Sequence, residues 1–173
     1  QLLPFSEIGR IGYFRTDTSP AGFSADLMVT RHYTQKDYPF IFTNGVQASY
    51  VEVDPETGFV KLLKHWAVED CGRVINPMLV NEQVRGAIVQ GIGGVLFEEC
   101  LYDDSGLLRN GSMADYLVPM ANEMPDIEVA HVETPTQSSK LGAKGAGEAG
   151  TAGAPGAVQN AINDALAPFN ATV

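Results

Sequence analysis

Glu148 is the one carboxylate between Glu133 and Asp164, and it stands inside Lys140-Leu141-Gly142-Ala143-Lys144-Gly145-Ala146-Gly147-Glu148-Ala149-Gly150, where glycines recur every two or three residues. A glycine-flanked segment lets backbone amides approach a ligand and leaves a carboxylate unobstructed, which is what a general base requires. By composition alone the same segment also reads as a flexible Gly/Ala linker. Gly145, Gly147 and Gly150 further match GxGxxG, the fingerprint of a dinucleotide-binding module. Context argues against that match: Thr134 to Lys140 is polar rather than a buried strand, and too few residues follow Gly150 to complete a βαβ unit.

A second candidate lies upstream, where Gly86, Gly91, Gly93 and Gly94 fall within a helix-like pattern. Each glycine there costs about 0.5–1 kcal/mol relative to alanine. A helix face without side chains admits another backbone or a flat ligand, and Gln83 and Gln90 project from it about 20° apart around the axis. Their amides could meet a polar ligand; tight helix packing with two solvated glutamines is the alternative. His32, His65 and His131 are isolated and read as ordinary surface or core residues. No phosphate loop, GxSxG elbow, HExxH or metal-ligand cluster is present, and Asp103-Asp104 reads as a solvated turn.

The elements that must position these residues follow from pattern. Up to Pro39 the chain reads as loops with one strand around Leu27 to Tyr33. The run Gln47 to Val53, then Asp54-Pro55-Glu56-Thr57-Gly58, then Phe59 to Val68 is a β-hairpin signature. Asn76-Pro77, an N-cap followed by proline, opens a helix of apolar residues at spacings of three and four, running from Pro77 to near Glu98. A strand is expected over Asp126 to Glu133, and a last helix beginning near Pro155. The sum is an α+β fold in which hairpin strands pack with two main helices.

The 173 residues suit one compact unit or two small ones. Twenty-one acidic against eleven basic residues leave a net charge of −10, so the average field repels phosphate backbones and anionic lipids, and nucleic acid is not an expected partner. The uncharged stretch from Gly86 to Phe97 is short of the roughly 20 residues a membrane span needs. Cys71 and Cys100 lack zinc spacing and are too sparse for a disulfide scaffold, which fits a reducing, cytoplasmic compartment.

Taken in order, Tyr50-Val51-Glu52-Val53-Asp54-Pro55-Glu56-Thr57-Gly58, Asp70-Cys71-Gly72-Arg73-Val74-Ile75-Asn76-Pro77, Gln83 to Gly93, Glu98-Glu99 and Lys144-Gly145-Ala146-Gly147-Glu148 resemble the C-terminal part of the molybdopterin-binding large subunit of the xanthine dehydrogenase/aldehyde oxidase family, in the style of carbon-monoxide-dehydrogenase-type large subunits. The resemblance runs from about Phe40 to Leu166, with residues 1–39 poorly defined, and it implies that residues 1–173 are a single C-terminal segment of a larger molybdopterin-binding domain. It further implies a molybdenum hydroxylase that oxidises an aldehyde, an N-heterocycle or carbon monoxide with water-derived oxygen. Glu148 corresponds to the general base acting on a molybdenum-bound hydroxide, Gln83 to a glutamine that touches the pterin, and Lys144, Gly145 and Gly147 to the loop beneath the metal. The implied cofactor is molybdopterin in its cytosine dinucleotide form. A [2Fe-2S] iron–sulfur subunit, an FAD subunit and the remainder of the molybdenum subunit are the implied partners. Gln47 departs from the pattern, standing where relatives often carry histidine. A non-catalytic structural fragment of the same fold is the competing reading.

Overall fold

The computed structural model describes residues 2–22, 27–34 and 40–173. The chain forms two compact units, Gln1–Lys36 and Asp37–Val173.

The first unit contains helix α1 (Phe5–Phe14), entered from the extended Pro4, with Arg10 donating two hydrogen bonds to the Glu7 carboxylate one turn earlier. Here the expectation of loops and one strand is corrected. Gly9 and Gly12 inside this short helix blur its apolar period and lower its propensity. Leu27 to Tyr33 takes no strand conformation; Leu27, Met28 and Val29 are all exposed, so no buried face sets a register there.

In the second unit the hairpin forms as its turn chemistry dictates. Strand β1 (Asn44–Val53) runs antiparallel to β2 (Val60–Asp70). Asp54 closes the turn by accepting from the Glu56 amide and the Thr57 hydroxyl, and Gly58 supplies the positive φ of 74°. A bulge leaves Leu63 unopposed, between the pairs Tyr50–Lys64 and Val51–Leu62. Its consequence is a change of parity: the buried residues of β2 are Leu62 before it and His65, Ala67 and Glu69 after it.

Helix α2 (Pro77–Leu96) starts where Asn76 accepts a hydrogen bond from the Leu79 amide. It carries the chain across to β3 (Ile127–His131), which adds to β2 in parallel. The order is β1-β2-β3. Helix α3 (Ala149–Leu166) packs on α2 and on the sheet, and the core between them is Leu62, Val84, Ile88, Ile92, Val158 and Ile162 with their neighbours. The architecture is the α+β arrangement expected from the sequence.

The start of α3 differs from expectation. It lies at Ala149 rather than near Pro155, and Pro155 falls inside the helix. A proline within a helix frees the carbonyl four residues back and normally breaks the helix. The freed Thr151 carbonyl here faces Gly91 of α2, where a Cβ would lie 2.9 Å from it, and the Thr151 hydroxyl donates to the Ala87 carbonyl at 3.0 Å. Gly150 does the same one turn away, with its hypothetical Cβ 2.5 Å from the Val84 carbonyl. Glycines on both helices therefore bring the two backbones together, which holds the early turns of α3 in place despite the proline.

Candidate active site

The inner face of the sheet changes character along its length. At the turn end it presents Val51, Val53, Val60 and Leu62, while at the opposite end the same inward positions hold Gln47, Ser49, His65 and Glu69. Beyond that polar end lies a cavity of about 580 Å³, bounded by Phe42, Asn44 and Gly45, by Gln47 and Glu69, and by Gly145 to Ala149. Glu148 and Glu69 both line it.

The two carboxylates are held differently. Glu148 is exposed, occupies the N-cap position of α3, and makes no side-chain capping bond. Glu69 is 1% exposed and accepts from Gln47 Nε2 at 3.1 Å. Burial pushes its carboxyl above the usual glutamate value, opposed in part by that hydrogen bond. His65, wholly buried further along the same face of β2, has its pKa lowered by burial.

The segment carrying Glu148 is pinned to the end of β2. Lys144 donates its backbone amide to the Cys71 carbonyl at 2.7 Å, and Gly145 donates to Ile41 at 3.2 Å. Gly142, at φ 73°, accepts from the Arg73 and Thr136 amides. The Lys144 ammonium does not line the cavity; it donates to Asp70 Oδ2 at 2.9 Å and to Thr134 Oγ1 at 2.6 Å. Asp70 also accepts from the Thr134 hydroxyl and from the Gly72 and Thr134 amides. The Thr134 hydroxyl, then Lys144, hold its carboxyl well below the usual aspartate range.

Gln83 reaches across from α2 and donates to the Gly147 carbonyl at 2.8 Å, so the two segments singled out in the sequence meet at the residue before Glu148. Gly147 has open space where a side chain would stand. The glycines of α2 divide by role. Gly91 and Gly93 are packing positions, against α3 and against Glu98 and Pro119, whereas Gly86 and Gly94 face open space. Gln90 is exposed.

The sequence pattern did not single out Glu69, and it left His65 as an ordinary surface or core residue. The signal was present in the alternation of residues 65, 67 and 69, which places two ionisable groups on the buried face. Reading it required the bulge at Leu63, which no turn or glycine marks in the sequence.

A family model described as "Molybdopterin cofactor-binding domain" matches residues 3–125. The chain belongs to this molybdopterin-binding family. The match begins well upstream of Phe40, so the likeness extends into the first unit. The nicotine 6-hydroxylase large subunit of Paenarthrobacter nicotinovorans is 44% identical over 168 residues, 97% of this chain and 20% of that protein. The carbon monoxide dehydrogenase large chain of Afipia carboxidovorans is 30% identical over 96% of this chain and 20% of its own length. Quinoline 2-oxidoreductase from Pseudomonas putida 86 superposes with a TM-score of 0.78 at 43% identity, over 99% of this chain and 22% of that one. The chain thus spans about a fifth of the length of these relatives. No described helix is long and apolar enough to cross a membrane.

Proposed function

We propose that this segment supplies the proton acceptor and one wall of the cofactor site in a molybdenum hydroxylase, with Glu148 as the general base. The observation that carries the reading is the setting of Glu148: an exposed carboxylate with no capping bond, on the rim of a cavity, at the end of a glycine segment anchored on Cys71, Ile41 and Gln83. Its carboxylate is left free of intramolecular capping, so it can take a proton from a water-derived nucleophile that approaches through the cavity.

Gln83, Gly145 and Gly147 are the residues proposed to hold molybdopterin. The fit rests on the space at Gly147 and on an exposed amide side chain beside it. The glycines allow a flat ring system to reach the backbone, and Gln83 fixes the Gly147 carbonyl while offering its amide at the surface. Lys144 is proposed to act through the loop: its ion pair with Asp70, among groups only 10% and 13% exposed, ties the segment to β2. When bound, the molybdenum–pterin group supplies the two-electron chemistry that a protein side chain lacks. The cytosine dinucleotide form of the cofactor, and iron–sulfur and flavin groups on companion subunits or domains, complete the proposed assembly, with cytoplasmic location.

The relatives are named for nicotine, quinoline and carbon monoxide. The higher identity to the first two favours an aromatic N-heterocycle as substrate. The test is Glu148→Gln in the complete protein, which preserves size and removes the proton acceptor. Substrate-driven reduction of the metal centre is expected to slow by about 10²- to 10⁴-fold with metal content unchanged. A reduction rate near that of the unmodified protein overturns the assignment. Absence of molybdenum and pterin from the purified assembly favours a purely structural role instead.

A further inference from the structure

Gln47, on β1, bonds to both β2 and α3 from the polar end of the sheet. Its Nε2 donates to Glu69 Oε1 on β2 at 3.1 Å and to the Gly150 carbonyl in the first turn of α3 at 2.9 Å. Its Oε1 pairs with His65 Nε2 at 3.1 Å. The orientation of the amide is dictated by chemistry: a carboxylate and a carbonyl both accept, so the NH₂ end must face them, and the carbonyl end is left for His65. His65 must then carry its proton on Nε2, and its Nδ1 accepts from the Ser49 hydroxyl at 2.9 Å. Burial, which disfavours the imidazolium, keeps that neutral tautomer in place.

Room for this chain of bonds is cut by two glycines. A Cβ on Gly153 would lie 2.9 Å from Gln47 Cδ, and a Cβ on Gly45 would overlap the Glu69 carboxylate. Gly150, which receives the Gln47 bond, is two residues from Glu148. Glu148 itself makes no side-chain capping bond, so its place in the cavity is set by the backbone of this first turn.

We propose that Gln47 is a positioning residue: held by Glu69 and His65, its amide fixes the first turn of α3 through the Gly150 carbonyl and thereby sets where Glu148 stands on the cavity rim. The inference rests on the reading of Glu148 as the base, but it is separable from it. Loss of the amide releases the turn whether or not Glu148 takes a proton, whereas only a basic Glu148 makes that release slow the reaction.

The experiment compares the complete protein with its Gln47→Leu variant by hydrogen exchange, cofactor content and steady-state and single-turnover kinetics. Amides of residues 149–153 should exchange about tenfold faster, the loss expected for one hydrogen bond. With molybdenum content unchanged, kcat should fall about 10- to 100-fold, since small misplacements of a reacting group carry penalties of that size, while KM stays within about twofold. Glu69→Gln, which keeps an acceptor for Gln47, should leave exchange in the first turn within about twofold of the parent. Unchanged exchange in Gln47→Leu, or faster exchange with unchanged kcat in a protein whose Glu148→Gln variant is impaired, overturns the proposal. Should the leucine variant fail to accumulate, Gln47→Met, unbranched and of equal reach, carries the same expectations. Failure of the base reading is detected separately, by full activity in Glu148→Gln.

Discussion

The two ends of the sheet's inner face receive the same two helices and yet are built from opposite materials. At the turn end, Leu62, Ile162 and Leu96 close around apolar space, including a groove lined by Phe59 and Met124. At the other end Gln47, His65 and Glu69 replace hydrocarbon with a chain of hydrogen bonds that continues to the backbone of α3. Hydrocarbon contacts give stability without fixing direction, whereas a half-buried amide with both its NH₂ and its carbonyl engaged fixes orientation and leaves its buried partners exposed to a penalty if it is removed. This fold concentrates its stability in one place and its geometric control in another.

Each variant below breaks one side of that contrast. Glu148→Gln carries the largest expected effect, a loss of about 10²- to 10⁴-fold in metal-centre reduction with an unchanged melting temperature. A fall in Tm of more than a few degrees would show that the rim residue also bears on stability and would blur the contrast. Ile88→Ala, in the apolar core where Ile88 is wholly buried, should lower the stability of the complete protein by about 2–5 kcal/mol in denaturant titrations, while the single-turnover rate at a temperature below unfolding stays near normal.

Gly153→Ala perturbs the polar end. Its new methyl would meet Gln47 Cδ at 2.9 Å, so the amide must shift, at about 1–3 kcal/mol. The expected sign is lowered kcat accompanied by faster exchange at residues 149–153, a milder copy of Gln47→Leu; exchange changes confined to the apolar end would contradict the assignment. Glu69→Gln is the smallest. Because burial raises the Glu69 pKa in the folded protein, the folded state binds protons more tightly than the unfolded chain, and the charged form costs stability above the folded pKa. That cost disappears as pH falls through the folded value toward the ordinary glutamate value of 4.5. The variant should therefore gain about 1–2 °C in Tm at neutral pH, a margin that shrinks on acidification; a margin that grows on acidification contradicts the sign.

Much of this architecture was readable in advance because its signals are local. Asn76-Pro77 starts α2 by capping and by a preset φ, and Asp54 to Gly58 closes the hairpin by side-chain bonds within the turn itself. Helix α1 and the true start of α3 were not readable, since Gly9 and Gly12 weaken one signal and Pro155 gave a false one. Gly91, 64 residues earlier in the chain than the proline, makes room for the Thr151 carbonyl that the proline frees. Glu148, Gln83 and the glycine segment stood out by type and spacing, but the bond between Gln83 and Gly147 joins segments far apart in the chain.

By itself the sequence determined which segments become strands and helices wherever a cap, a turn residue or an apolar period lies within a few positions, together with the lone carboxylate offered by a glycine-rich stretch. Tertiary structure alone decided which face of β2 turns inward after Leu63, that Gln47, His65 and Glu69 would meet, and that their bonds end on the turn beneath Glu148. The physical reason is range. Capping and periodicity act between neighbours along the chain, whereas a bulge and a shared amide take effect only when distant strands and helices are brought into register.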